Sequence, residues 1–212
     1  MKHIIVAWSQ GSASTFESMV PLAFIGKRNL MLGFGNNIHV VFLAGLKNLE
    51  DAYKAELTNL NYTLHDAENL YNNIEARYPA ISRFGDNAKK WFLRWLVIKE
   101  LFAGEPFIHY DGDIVLNESL HEIEQRVHGM TFVLQGCPAL TVVSDLAWLE
   151  QYEKEFTKFM TNADSYCNDA WLQRSGWEQT FFTRWAGSRF DKIFLHDQDF
   201  LSHADSTLKC II

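Results

Sequence analysis

The feature that most constrains this sequence is the alternation of two hydrophobic patterns along its first half. Short apolar runs of strand length alternate with longer segments in which apolar residues recur at the helical period. The short runs lie at 3–8, 38–44 and 106–110, and the helical segments near 15–32, 48–58 and 87–103. This order predicts an α/β fold in which right-handed crossovers build a mostly parallel sheet flanked by helices. Ligands in such folds bind near the carboxyl ends of the strands.

Weaker signals extend the same pattern over the rest of the chain. Further strands are predicted at 62–65, 131–134, 140–143 and 192–195, and an amphipathic helix at 146–160. With 212 residues, 48% of them hydrophobic, the chain is long enough to bury one core without disulfides or structural metals. We therefore expect one domain over 1–212. The apolar end without a cap at 208–212 is consistent with a piece of a longer protein.

Charge and cysteine usage argue against several classes of partner. The net charge is −7 and the basic residues are scattered, so no surface for nucleic acid is expected. No apolar run approaches the length of a membrane span, and the run at 4–8 is too short for a signal peptide. The three cysteines are widely spaced and match neither a zinc site nor a disulfide framework, which favours a reducing, cytoplasmic location.

The segment 87–103 carries the clearest helical signal. Asp86 or Asn87 can cap its start, and Gly104 follows its end. One apolar stripe consists of Trp91, Trp95, Ile98 and Phe102. Most other positions are apolar too, so we expect the helix to be buried on most sides. Arg94 then lies among hydrophobic neighbours and needs an acidic partner.

The residues best suited to chemistry are Asp111, Gly112 and Asp113, which directly follow the strand predicted at 106–110. In an extended segment the two carboxylates point to the same side, and the glycine leaves room for a diphosphate. Oxygen ligands favour Mn²⁺ or Mg²⁺, which usually bind substrate phosphates as well. Asp-Gly is also a common turn sequence. The position at the end of a buried strand favours a metal site at Asp111 and Asp113.

Two segments resemble motifs of the GT-A glycosyltransferases. The run Lys-Trp-Phe-Leu-Arg-Trp-Leu at 90–96 and the run Phe-Ile-His-Tyr-Asp-Gly-Asp-Ile-Val-Leu at 107–116 resemble the arginine helix and the Asp-x-Asp strand of that family. The likeness is nearest to the retaining group of glycogenin and the bacterial lipopolysaccharide galactosyltransferases. The resemblance implies a GT-A fold, and it implies that Asp111 is the partner of Arg94. It further implies metal-dependent transfer of a sugar from a nucleoside-diphosphate sugar, with a UDP-sugar favoured, to a glycan or other hydroxyl acceptor.

The resemblance also assigns roles to individual residues. It implies that Asp111 contacts the ribose and the metal, and that Asp113 chelates the metal. His-Asp-Gln-Asp-Phe-Leu at 196–201 is similar to the Asp-Gln-Asp-x-Leu motif of the retaining enzymes, so Asp197 would hold the donor sugar and Gln198 would face the anomeric carbon. The family's Asn-Ala-Gly acceptor segment and its late histidine are absent from this sequence. The resemblance therefore implies neither the acceptor nor a third metal ligand.

Four further residues have both a functional and a structural interpretation. Trp8 and Ser9 follow the first strand and Asp66 follows the strand at 62–65, where the family binds the base and ribose. Capping and turn formation explain such residues equally well. Trp-Glu-Gln-Thr, which contains Glu178, resembles the motif that supplies the base in inverting GT-A enzymes. Retention and inversion are therefore both open.

Two other functions fit parts of the pattern. Asp-Gly-Asp-Ile-Val at 111–115 also matches the nucleophile motif of haloacid-dehalogenase-type phosphatases, in which Asp111 would attack phosphate. That motif normally lies on an early strand, whereas here a long α/β pattern precedes it. A non-catalytic carbohydrate-binding domain is the third possibility, but it leaves the two aspartates unexplained.

Overall fold

The structure is a computed structural model that describes residues 1–102, 104–133 and 139–161. Its strands are β1 (Lys2–Trp8), β2 (Ile38–Ala44), β3 (Tyr62–Asp66), β4 (Phe107–Tyr110), β5 (Thr131–Val133) and β6 (Leu140–Val143). Its helices are α1 (Ala13–Met19), α2 (Leu22–Met31), α3 (Asp51–Asn59), α4 (Glu68–Arg77), α5 (Asp86–Leu101), α6 (Leu120–Arg126) and α7 (Ala147–Thr161). Short 3₁₀ turns lie at Leu46–Asn48 and Pro79–Arg83.

The six described strands form one sheet in the order β3-β2-β1-β4-β6-β5. The strands β3, β2, β1 and β4 run parallel to one another, as the alternating pattern predicts. The sheet is mixed, however, because β6 pairs antiparallel with both β4 and β5. The predicted α/β class and the flanking helices are confirmed. The predicted parallel arrangement is confirmed for the strands β3, β2, β1 and β4.

Helices cover both faces of this sheet because its central strands are apolar on both sides. In β1, Ile4 and Val6 pack into one core cluster, and Ile5 and Ala7 pack into the other. The first cluster includes side chains of α4, α5 and α7, and the second includes side chains of α1, α2, α3 and α6. A parallel strand buried in this way appears in the sequence as an unbroken apolar run.

Helix α5 crosses one face of the sheet and is buried from Phe92 to Ile98. The hydroxyl of Tyr152 in α7 donates to the carbonyl oxygen of Phe92 at 2.8 Å, which ties the two helices together. The N-cap of α5 is Gly85, so the prediction that Asp86 or Asn87 caps this helix is wrong. Both of these residues lie within the first turn of the helix, where an acidic side chain favours the helix dipole.

The segment 15–32, predicted as one helix, forms two helices that break at Val20 and Pro21. Proline lacks the N–H that continues a helix, and its ring disfavours helical backbone at the preceding residue. This break brings Val20 to the site described below. The helix predicted at 146–160 is confirmed as α7, whereas the strand predicted at 192–195 lies outside the described residues. Within the described part of the chain, no helix has the length and apolarity needed to cross a membrane.

Candidate functional site

The candidate site is a cleft of about 310 Å³ at the carboxyl ends of β1 and β4. These two strands are parallel neighbours, so the residues that follow them meet at the same edge of the sheet. Trp8 ends β1, Asp111 follows β4, and Trp91 and Arg94 of α5 form the adjoining wall. Asp113 lines the same cleft. The fold thus brings together the residues that the two sequence motifs single out within the described chain.

Arg94 and Asp111 form an ion pair at the base of this cleft. The guanidinium Nη1 donates to Oδ1 of Asp111 at 3.1 Å, and Arg94 is only 4% exposed. The guanidinium carbon also lies 4.8 Å from the centroid of the Trp95 ring. A buried guanidinium is costly unless a carboxylate compensates its charge. The prediction that Arg94 has an acidic partner is therefore confirmed, and that partner is Asp111.

The backbone at the two aspartates is a turn. The N–H of Ile114 donates to the carbonyl oxygen of Asp111 at 3.1 Å, which closes a four-residue turn. The N–H of Asp111 donates to the carbonyl oxygen of Ala139 at 2.9 Å, so the start of the turn is anchored to the chain before β6. The expected extended geometry is wrong at this point. Both Asp111 and Asp113 nevertheless line the cleft, and Asp113 is exposed.

Gly112 is required by packing. A Cβ atom built at this position would lie 2.3 Å from Cγ1 of Val20 and 3.5 Å from Cγ2 of Ile5. Such an approach to Val20 is far closer than van der Waals contact allows. The space beside the glycine is therefore filled by the residue that precedes the break between α1 and α2. Gly112 also lines the cleft, and the expectation that it leaves room for a diphosphate stays a prediction.

The two aspartates provide the donor set of a hard divalent cation. Carboxylate oxygens suit Mg²⁺ and Mn²⁺, which commonly use one or two protein carboxylates together with waters and substrate phosphates. Among the residues that the structure describes, no group of three or more histidine, cysteine, aspartate or glutamate side chains could hold a metal. A cation held by Asp111 and Asp113 alone among these residues would need waters and substrate phosphates to complete its coordination.

The other residues predicted to contact the nucleotide, Trp8, Ser9 and Asp66, differ in whether they line the cleft. Trp8 is half-buried and lines the cleft. The Ser9 hydroxyl donates to the carbonyl oxygen of Gly11 at 2.8 Å, so Ser9 stabilises the turn after β1. Asp66 lies outside the cleft lining, and its Oδ1 accepts the N–H of Glu68 at 3.2 Å at the start of α4. Ser9 and Asp66 thus have the structural roles that their residue types allow.

The residues assigned to the sugar and to catalysis are not among those that the structure describes. Asp197, Gln198 and Glu178 all lie beyond residue 161. The segment 134–138, at the place where the family carries its acceptor motif, is also outside the described ranges. The roles given to these residues stay predictions.

Three residues of α5 that line the cleft or contact its lining were not assigned to the site from the sequence. Asn87 and Trp91 line it, and Lys90 places its ammonium 5.6 Å from the centroid of the Trp8 ring. Residues three, four and seven positions before Arg94 share its side of a helix. This spacing was a usable signal, but Trp91 was interpreted only as part of the core stripe, and it is in fact half-buried.

A larger cavity of about 530 Å³ opens at the opposite, amino-terminal edge of the sheet. Three of its titratable groups, Met1, His3 and Glu124, contact one another. Nε2 of His3 lies 2.9 Å from Oε1 of Glu124, Nδ1 of His3 lies 2.7 Å from the hydroxyl of Tyr110, and the Met1 ammonium donates to Glu124 at 3.2 Å. Since these contacts satisfy the buried groups and parallel α/β sheets bind ligands at the other edge, we place the candidate site at Asp111.

Comparisons with known proteins do not indicate a function for this chain. No protein-family model matches the chain, and no curated protein matches it either. Function is therefore argued from the cleft, its charges and its position in the fold.

Proposed function

We propose that this protein is a metal-dependent glycosyltransferase that transfers a sugar from a nucleoside-diphosphate sugar, with a UDP-sugar favoured, to a glycan or other hydroxyl acceptor. The observation that carries the proposal is the Arg94–Asp111 ion pair, set beside Asp113 in a cleft at the carboxyl ends of two parallel strands. The motifs at 90–96 and 107–116 suggested this pairing, and the two side chains are 3.1 Å apart.

Each side chain of the described site has a task in this reaction. Asp113 and Asp111 would hold Mn²⁺ or Mg²⁺, which when bound acts as a Lewis acid toward the departing nucleoside diphosphate. Arg94 fixes the orientation of Asp111 and compensates part of its charge. Trp8 and Trp91 offer aromatic surface to the base or a sugar ring. The turn closed by Ile114 keeps both carboxylates at the cleft.

The chemistry at the sugar carbon is assigned by the sequence motifs. With Asp197 and Gln198 beside the donor sugar, the acceptor hydroxyl attacks with retention of configuration, and the leaving phosphate takes its proton. With Glu178 as the general base, the hydroxyl is deprotonated by that carboxylate and the configuration inverts. The anomeric configuration of the product, determined by NMR, distinguishes these two versions of the proposal.

Calorimetry with UDP, GDP and their sugars, each with and without Mn²⁺, tests the proposed function. We expect one of these nucleotides to bind in a manner that requires the cation, and Asp113→Ala to weaken that binding by about tenfold or more. Retention of full metal-dependent binding by Asp113→Ala would contradict the proposal. Rapid hydrolysis of a generic phosphomonoester without nucleotide binding would instead favour a phosphatase that uses Asp111 as its nucleophile.

A further inference from the structure

Lys90 lies next to Trp8, beside the cleft, in a setting that differs from that of the adjacent Lys89. Its ammonium is 5.6 Å from the centroid of the Trp8 ring and donates to the backbone carbonyl oxygen of Asp86 at 3.2 Å. Within the described residues, no carboxylate lies within salt-bridge distance of this ammonium. Trp8, which the ammonium contacts, and Asn87 both line the cleft. Lys90 is therefore a half-buried cation adjacent to residues of the candidate site.

Lys89 provides a contrast within the same helical turn. Its ammonium lies 3.0 Å from Oε1 of Glu75 and 3.6 Å from Oδ1 of Asp86, on the side of α5 that faces α4. The charge of Lys89 is thus compensated by carboxylates at salt-bridge distance, whereas the ammonium of Lys90 lies by the ring of Trp8, a residue that lines the cleft. Burial lowers the pKa of Lys90 by more than the nearby carboxylates of Asp86 and Glu75 raise it, so its charge is partly desolvated.

The formal charges of the site suggest what Lys90 meets there. Asp111 and Asp113 carry two negative charges, and Arg94 and Lys90 carry two positive charges, so these four side chains sum to zero. A bound divalent cation then adds the two positive charges that match the two negative charges of a nucleoside-diphosphate sugar. Without Lys90 the occupied site would retain one uncompensated negative charge.

The position of Lys90 allows it to reach a diphosphate in the cleft. Lys90 precedes Arg94 by four residues, so the two side chains are neighbours on one face of α5, about 6 Å apart at their Cβ atoms. Arg94 is occupied by Asp111, and Asp113 lies beside that pair in the cleft lining. A lysine stem of four methylenes can swing from the Trp8 ring toward an anion bound next to that pair.

We propose that Lys90 is a phosphate-binding residue that leaves the Trp8 ring and pairs with the diphosphate of the sugar nucleotide. This inference rests on the proposed function, because it requires that the cleft accept a nucleoside diphosphate. It adds a contact that neither of the two aspartates nor Arg94 supplies. Movement of the ammonium would also expose the face of Trp8 on which the base or ribose could pack.

The test compares Lys90→Met with Lys89→Met, which removes the adjacent, compensated lysine. Calorimetry measures the affinity of each variant for UDP and GDP with Mn²⁺, and for the uncharged nucleosides uridine and guanosine. We expect Lys90→Met to weaken binding of the diphosphate by about tenfold to hundredfold, with nucleoside binding unchanged, since only a charge-assisted contact is lost. Lys90→Arg should restore most of the affinity, and Lys89→Met should stay within about twofold of wild type.

Two results would overturn the inference, and they differ in what else they affect. If the wild type binds a diphosphate and Lys90→Met binds it as tightly as Lys89→Met does, the role of Lys90 is lost but the proposed function stands. If the folded wild type binds neither diphosphate, the proposed function fails together with the role of Lys90. A thermal unfolding curve for each variant shows whether it is folded. If Lys90→Met is not folded, the conservative Lys90→Arg variant provides the comparison.

Discussion

The side chain of Val20 lies directly against Gly112, in the space that any larger residue at position 112 would occupy. Val20 is the C-cap of α1 and precedes Pro21, so the helix break and the turn between the two aspartates are packed against each other. The break therefore helps to position the carboxylates. The helix break at Pro21 thus affects the geometry of a turn that lies about ninety residues further along the chain.

Gly112→Ala should destabilise the protein by about 1–3 kcal/mol, because its Cβ would meet Cγ1 of Val20 at 2.3 Å. Urea unfolding measures the change. Val20→Ala in the same chain should recover part of the loss, since it removes the atom that clashes. A double-mutant cycle in which the two substitutions add without coupling would show that the contact does not restrict position 112.

Asp111→Asn and Asp113→Asn should differ strongly in their effect on stability. The first removes the charge that compensates a buried guanidinium at 3.1 Å and should cost about 2 kcal/mol. The second changes an exposed side chain and should stay within about 0.5 kcal/mol of wild type. The free energy of unfolding from urea titrations checks both values. Equal effects of the two substitutions would mean that the ion pair contributes little to folding.

The sequence predicted the core of the site because its signals there are local. Seven consecutive buried residues in α5 and four in β4 give strong periodic patterns, and a buried arginine requires a carboxylate nearby. An extended segment was expected at Asp111, although Asp-Gly is also a turn sequence. The observed turn could not be chosen from the sequence because it depends on contacts with residues distant in the chain. The carbonyl of Ala139 and the side chain of Val20 set that turn.

Other errors arose from competing interpretations of single residues. Pro21 was available as a helix breaker, but the surrounding apolar period over 15–32 outweighed it. Helix α6 has only seven residues, too few for a clear period, although Ser119 and Glu122 form the capping box that marks its start. At Asp66 and Ser9 the same residue types serve a turn, a cap or a ligand, so the sequence leaves these roles open.

Asp66→Ala should leave nucleotide binding unchanged while it weakens the start of α4. The carboxylate accepts the N–H of Glu68, the first residue of that helix, and lies outside the cleft lining. Loss of such a contact typically costs about 1 kcal/mol. Urea unfolding measures that loss, and calorimetry with UDP and Mn²⁺ measures binding. A tenfold loss of affinity in a folded Asp66→Ala variant would return Asp66 to the nucleotide site.

Acidification should destabilise the protein through a pair of histidines on the adjacent strands β2 and β3. Nδ1 of His39 and Nε2 of His65 are 2.9 Å apart on adjacent strands. Burial lowers the pKa of both rings below the ordinary value of 6.5, and the positive charge of Lys2 adds to the effect. In the unfolded chain each ring takes up a proton as the pH falls through its ordinary value, whereas in the folded protein it does so only at lower pH.

Because the unfolded state then binds more protons, the free energy of unfolding should decrease as the pH is lowered from about 7.5 to about 5.5. His39→Asn and His65→Asn each remove one of these titrations, so both variants should show a smaller decrease. The exposed His121, replaced by asparagine, is the control and should follow wild type. Urea unfolding at several pH values gives the slopes. A slope in both strand variants identical to that of wild type would mean that the histidine pair does not couple folding to pH.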